Sequence, residues 1–249
     1  MKAHMQFAGL LLVGLCCSSP ALADVAGRYE TTDKNAVLDI EMTVETDDAG
    51  DVRFQTNGTS GYYLLHDGEL YSVQKGSDGY TVVRIADLLV VKQEAMERLG
   101  WKEPKLPDDL ASHSLKFAPM GEETVRGREG TAYGMISKAN DHPVYASFVI
   151  GTDPKLAPLG RAMALADKSS IKGMGSMATM LSSMSAEMMT LLQNGAPLRM
   201  LKEELTDVSF DPIPKSRFEL PAEPLTIDEL RKSLDNTVAP PPTLPPREK

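Results

Sequence analysis

The strongest constraint on this chain is a strict two-residue alternation. Leu38, Ile40, Met42 and Val44 alternate with Asp39, Glu41, Thr43 and Glu45. Side chains on a strand point to opposite faces in turn, so this pattern predicts a strand with one apolar and one solvated face. Such a strand needs partners, and the sequence supplies turns for them. Asp47-Asp48-Ala49-Gly50 leads into a strand carrying Val52 and Phe54. His66-Asp67-Gly68 joins Tyr62–Leu65 to Glu69–Val73, and Asp-Gly is a pair that tolerates the positive φ of a tight hairpin. Gly76-Ser77-Asp78-Gly79 repeats the device before Tyr80–Ile85. The pattern is an antiparallel meander.

Residues 86–99 change period. Leu88, Val91, Ala95 and Leu99 fall on one side of a helix, which Gly100 ends. Pro104 and Pro107 mark 101–111 as a loop. Strands are expected again near 113–118, 122–126, 131–137 and 144–150. Asp153-Pro154 opens a helical pattern at 155–166, and a second runs over 171–193 until Asn194-Gly195. Pro197–Phe210 returns to strand. A short helix at 226–234 is N-capped by Thr226, with Glu229 three residues on. Strands grouped around helices, without strand–helix alternation, predict an α+β fold on an antiparallel sheet.

Residues 1–23 read as an export signal. Lys2 precedes an apolar run from Phe7 to Cys17, and Ala21-Leu22-Ala23 places small residues before a predicted cleavage after Ala23. Cys16 follows Leu15, which departs from a lipidation signal. The rest of the chain divides into one α+β domain, 24–235, and a tail, 236–249, with five prolines after Ala239. Cleavage removes one base and both cysteines. From 26 bases and 35 acids, 25 − 35 leaves a net charge of −10. An acidic chain without a basic cluster is a poor nucleic-acid binder. A thiol-free chain excludes disulfides, Cys-ligated zinc and thiol catalysis. An exported protein without disulfides fits a bacterial periplasm. Asn57-Gly58-Thr59 matches a glycosylation acceptor that has no role there.

Catalytic signatures are missing from the sequence. There is no Gly-x-Ser-x-Gly elbow, no His-Glu-x-x-His motif and no phosphate loop. His66, His113 and His142 are scattered, and Asp47, Asp48 and Asp51 lack the spacing of a calcium loop. No enzyme activity and no cofactor is expected. The unusual residue is methionine: six of 14 lie between 174 and 189. Met174, Met177, Met180, Met184 and Met188 share a helical face with Leu181. That stripe suits a core face against a sheet. It also suits an apolar ligand, because Met is flexible and polarizable. Thioethers at this spacing could hold Cu(I), although no Cys or His lies within the stretch.

Several short stretches recur in order in one group of proteins. They are the Tyr62–Val73 hairpin, Val125–Tyr133, Thr152–Leu156, Gly195–Arg199, Leu205–Val208 and Ile213–Pro221. Over about residues 36–222 the chain resembles a family of bacterial exported proteins related to the LolA-like lipoprotein carriers. The resemblance implies a curved antiparallel sheet, an unclosed barrel, with helices packed in its concave face. In the carriers that hollow takes acyl chains. The chain departs from them in its Met- and Ser-rich helical insert and its aromatic-poor N-terminal region. The expected function is a non-catalytic periplasmic carrier of a hydrophobic small molecule or lipid. Its expected ligand-binding residues are Met177, Met180, Leu181, Met184 and Met188 with Tyr63, Tyr71 and Phe148. The alternatives are a structural or interaction protein of the envelope, with other envelope proteins as partners, and a Cu(I)-binding protein.

Overall fold

The computed structural model describes residues 24–32, 41–100, 116–136, 146–171 and 187–237. The predicted signal, the loop at 101–111, most of the methionine stretch and the proline-rich tail lie outside the described residues, as do Leu38 and Ile40. Among the described residues, eleven strands form one antiparallel sheet. They are β1 Val25–Thr31, β2 Glu41–Thr46, β3 Val52–Thr56, β4 Gly61–His66, β5 Glu69–Gly76, β6 Gly79–Arg84, β7 Lys116–Val125, β8 Arg128–Ile136, β9 Ala146–Gly151, β10 Ala196–Met200 and β11 Glu203–Ser209. The order is β6-β5-β4-β3-β2-β1-β11-β10-β9-β8-β7. Among the described strands the sheet does not close, because β6 and β7 are its two edges. With four helical segments, α1 Ile85–Arg98, α2 Ala157–Ile171, α3 at 187–194 and α4 Ile227–Thr237, the fold is α+β.

The expected turns form. Asp67 and Gly68 take φ of 50° and 77°, and Arg126 and Gly127 take 51° and 79°. Paired positive φ values match the strand twist, which is why two-residue hairpins use them. At the β2–β3 turn the Asp47 carboxylate accepts the N–H groups of Ala49 and Asp51, at 3.0 and 2.9 Å. Burial pushes the Asp47 carboxyl above its usual range against these bonds.

Three expectations are corrected. Pro197–Phe210 is a hairpin, β10–β11, and not one strand. It turns at Leu201-Lys202 with Leu201 at φ 54°, so neither Gly nor Asn punctuates it. The strands expected at 113–118 and 122–126 are joined in β7, whose register shifts between Pro119 and Gly121. Its partner β8 begins at Arg128, three residues earlier than the pattern indicated. Strand β1, unmarked as a unit in the sequence reading, pairs β2 on one side and β11 on the other.

One face of the sheet carries the core. Val25, Tyr29, Val44, Val52, Leu65, Leu70, Leu198 and Leu205 are buried there with Leu156, Leu159 and Met163 of the α2 segment. Leu156, Leu159, Gly160 and Met163 repeat at helical spacing and are all buried, so α2 turns one stripe to the sheet. The Tyr29 side chain is fully buried, and its hydroxyl donates to the Pro197 carbonyl at 3.1 Å. Burial pushes its ionisation far above the usual tyrosine value, so it stays a donor. The opposite face of β1–β3 is charged: Arg28 pairs with Glu30 and Glu41 at 2.7 and 2.8 Å.

Glycine sets the distance between α2 and the sheet. A Cβ at Gly160 would overlap the carbonyl oxygens of Gly195 and Leu192. One at Gly195 would press on the Gly151 carbonyl and the Ile150 side chain. Glycines on the helix, on the loop before β10 and at the end of β9 are thus stacked.

The last helix docks on the first. Arg231 donates to both Glu94 oxygens at 2.8 Å, and Arg98 meets Asp235 at 3.1 Å. The predicted cap is present: the Thr226 N–H donates to the Glu229 carboxylate at 2.8 Å, and the Glu229 N–H donates to the Thr226 hydroxyl at 3.3 Å.

Two outcomes are expected. Alanine in a helix interior normally stabilises by about 1 kcal/mol over glycine. At Gly160 the overlap with backbone dominates, so Gly160→Ala lowers stability by about 2–3 kcal/mol in a denaturant titration. Gly50→Ala, at φ 90° with open space around it, costs only about 1 kcal/mol. The second outcome concerns pH. The bond from Arg231 holds Glu94 below its ordinary 4.5, and the bond from Thr226 does the same for Glu229. Depressed carboxylates stabilise above their unfolded value and lose that contribution as pH falls through the folded one. Amide protection in α4 should therefore hold from about pH 7 to 5 and decline below about pH 4.5, before the sheet amides lose theirs.

Candidate functional site

The core face is not evenly sealed. Phe54 lies opposite Tyr63, and Tyr63 lies opposite Ser72, all on the side of Leu65 and Val52. Tyr63 is 50% exposed, although its strand neighbour on that face, Leu65, is 2% exposed. Met42 and Phe54 from the sheet, and Met188, Met189 and Leu191 from α3, are only partly buried against the same core. Phe148, Tyr133 and Met200 occupy the β8–β10 side of that cluster. Apart from the half-exposed Tyr63, these are partly covered apolar and aromatic side chains packed against the buried core.

Of the residues expected from sequence, Met188 and Phe148 pack on this core with Phe54 and Met42. Phe148 also meets Phe117 edge-to-face, with ring centroids 5.3 Å apart. Tyr63 stands on the same face. Tyr71 does not: it pairs with Leu64 and packs with Val73, Val82 and Phe218 on the opposite face. Burial pushes the pKa of its hydroxyl above the usual tyrosine value, so it stays protonated. The two tyrosines therefore cannot line one hollow. Met177, Met180, Leu181 and Met184 lie outside the described residues. Phe54 and Met42, which the sequence shows only as strand residues, join Met188 and Phe148 on this core. The alternation of β2 and the length of its turn place them opposite β1 and β4, and that was the available signal.

The polar groups are engaged locally. The His66 Nδ1 lies 2.7 Å from the Asp51 carboxylate, and its Nε2 lies 3.6 Å from Asp67. Asp51 also accepts the Asp67 N–H, so the pair ties the β2–β3 turn to the β4–β5 turn. His113 and His142 lie outside the described residues. Among the described residues no group of three or more His, Cys, Asp or Glu is placed to hold a metal ion. An open depression between α1 and α4 is lined by Glu94, Glu97, Arg98 and Arg231, the groups that dock the two helices. No protein-family model, curated protein or solved structure matches the chain.

The better and the less well covered of these side chains should separate energetically. Phe148→Ala removes ring contacts on both Phe117 and the core and is expected to cost about 2–3 kcal/mol. Tyr63→Ser, at a half-exposed position, should cost less than about 1 kcal/mol in the same denaturant titration.

Proposed function

We propose that this protein is a periplasmic carrier that binds a hydrophobic ligand, a lipid or acyl chain, by burial and without catalysis. The proposed arrangement is LolA-like: the sheet curls into an unclosed barrel, with helices in its concave face. Ion pairs that skip strands support the curl. Arg199 of β10 reaches Glu123 of β7 at 2.6 Å, and Arg126 of the β7–β8 turn reaches Glu204 of β11 at 3.0 Å. Helix α2 contacts β10, β1, β2 and β5, which are spread across most of the strand order. Within the proposal, the expected Met177, Met180, Leu181 and Met184 complete the lining begun by Met188. No described helix is long and apolar enough to cross a membrane.

The observation that carries the reading is the half-exposed Tyr63 in an apolar row with Phe54, on the face where Met188 and Met189 are partly buried. An aromatic with a polar tip suits the boundary between an apolar chain and water. Burial of a chain is worth about 0.8 kcal/mol per methylene before the cost of immobilising it. A flexible methionine lining would accept chains of different shape.

A second reading has its own support. Met188 and Phe148 already pack on the core, as expected of an envelope structural or interaction protein whose methionines are filler.

Native mass spectrometry of protein purified from its own envelope, with a fluorescent acyl probe, separates the two readings. The carrier reading expects co-purified lipid and saturable probe binding, weakened about fivefold or more by Tyr63→Ser and by Met180→Ser. No co-purified lipid and no saturable binding would leave the structural reading, in which Met180→Leu and Met184→Leu change neither stability nor phenotype.

A further inference from the structure

The face opposite the core holds an arrangement that neither reading above uses. After β11 the chain crosses this face as segment 210–225, which holds a short 3-10 helix, Lys215–Arg217, and prolines at 212, 214, 221 and 224. Phe218 is 2% exposed and packs on Leu64, Val73 and Val82, with Ile213, Leu220 and Ala222 beside it. The Asp24 carboxylate accepts the Ile213 N–H at 2.8 Å, and the Leu225 N–H donates to Val82 of edge strand β6 at 2.9 Å.

Beneath this strap, Glu45 of β2 and Arg53 of β3 are direct cross-strand partners on the same face. Opposite charges so placed normally pair. Here they form only a long ion pair: the Arg53 Nε stands 3.7 Å from the Glu45 carboxylate, beyond hydrogen-bond reach, and among the described residues it has no hydrogen-bond partner, although it is buried. Arg217 of the strap takes that same carboxylate oxygen instead, through Nε at 2.8 Å and Nη2 at 2.7 Å. The Arg53 Nη2 donates to Gln55 at 3.1 Å, and its guanidinium lies over the Tyr62 ring at 3.4 Å. The side chains of Arg53 and Glu45 are 12% and 13% exposed, so the diverted pair is poorly hydrated.

We infer that segment 210–225 is a releasable latch in which Arg53 and Arg217 compete for Glu45. With the latch closed, Arg217 holds the carboxylate and a buried donor of Arg53 goes unpaired, which disfavours closure. With it lifted, Glu45 closes the remaining gap to its cross-strand partner, so one hydrogen-bonded ion pair replaces the other. Closure therefore rests on the apolar contacts of Phe218 and its neighbours. Opening uncovers Leu64, Val73 and Val82 and frees the Val82 carbonyl on the sheet edge.

Hydrogen–deuterium exchange of the full chain, read over 211–225, tests the exchange of partners. Arg53→Met removes the competitor and keeps an apolar stem over Tyr62, and should slow exchange of the strap by about tenfold. Arg217→Gln should speed it by a similar factor, with the amides of β1 and β11 unchanged as the control for folding. In a Glu45→Gln background, Arg53→Met should have no effect on the strap. Unchanged or faster strap exchange in Arg53→Met, or the same slowing with and without Glu45, would overturn the latch.

Discussion

The distance between α2 and the sheet governs the rest of this structure. It is set by missing atoms: Gly160 and Gly195 let backbone meet backbone where a Cβ would collide, and a Cβ at Gly151 would press on the Leu198 side chain. That contact lets Leu156, Leu159 and Met163 reach the strands and bury with Tyr29, Val44 and Leu205. Close packing makes such a core sensitive to single methylenes, so the helix has one seat and not a range of them. Coverage by α2 leaves the aromatic pair Phe54 and Tyr63 incompletely sealed, and this is where the candidate site begins.

The two faces solve different problems. The core face is apolar and anchored by a fully buried hydroxyl with one carbonyl partner. The other face of β1 and β2 carries the charges of Arg28, Glu30 and Glu41, which keep a solvated surface from sticking to other sheets. Over β4–β6 the alternation changes character, because Leu64, Val73 and Val82 lie on that second face and require a cover of their own. A sheet buried on both sides at one end and on one side in the middle needs two separate apolar clusters, which is what the chain builds.

Much of this was legible in the sequence, and the failures have physical causes. The Asp67-Gly68 turn was legible because few residues tolerate positive φ. The same turn fixes the register: His66 opposite Glu69 puts Tyr63 opposite Ser72 and Tyr71 opposite Leu64. The separation of the two tyrosines onto opposite faces could thus have been read from turn length alone. The β10–β11 turn was not legible, because Leu201 pays the left-handed conformation without a glycine to advertise it. The join in β7 was hidden because a register shift at Pro119–Gly121 looks like a chain break in a two-residue pattern. Helix α4 was read correctly because its cap is a local motif. The glycine stack could not be read at all, since its members are brought together only by the tertiary fold.

Strand order carries a consequence for the life of the chain before it folds. Strand β1 lies between β2 and β11, so the first described strand waits for the last described one. Until β11 is available, the Tyr29 side of the sheet has an open edge in its middle, and the Pro197 carbonyl has no donor. Long-range pairings of this kind form late and slowly. A chain arranged this way can form its local hairpins early, but completes its sheet only once its final described strand has arrived.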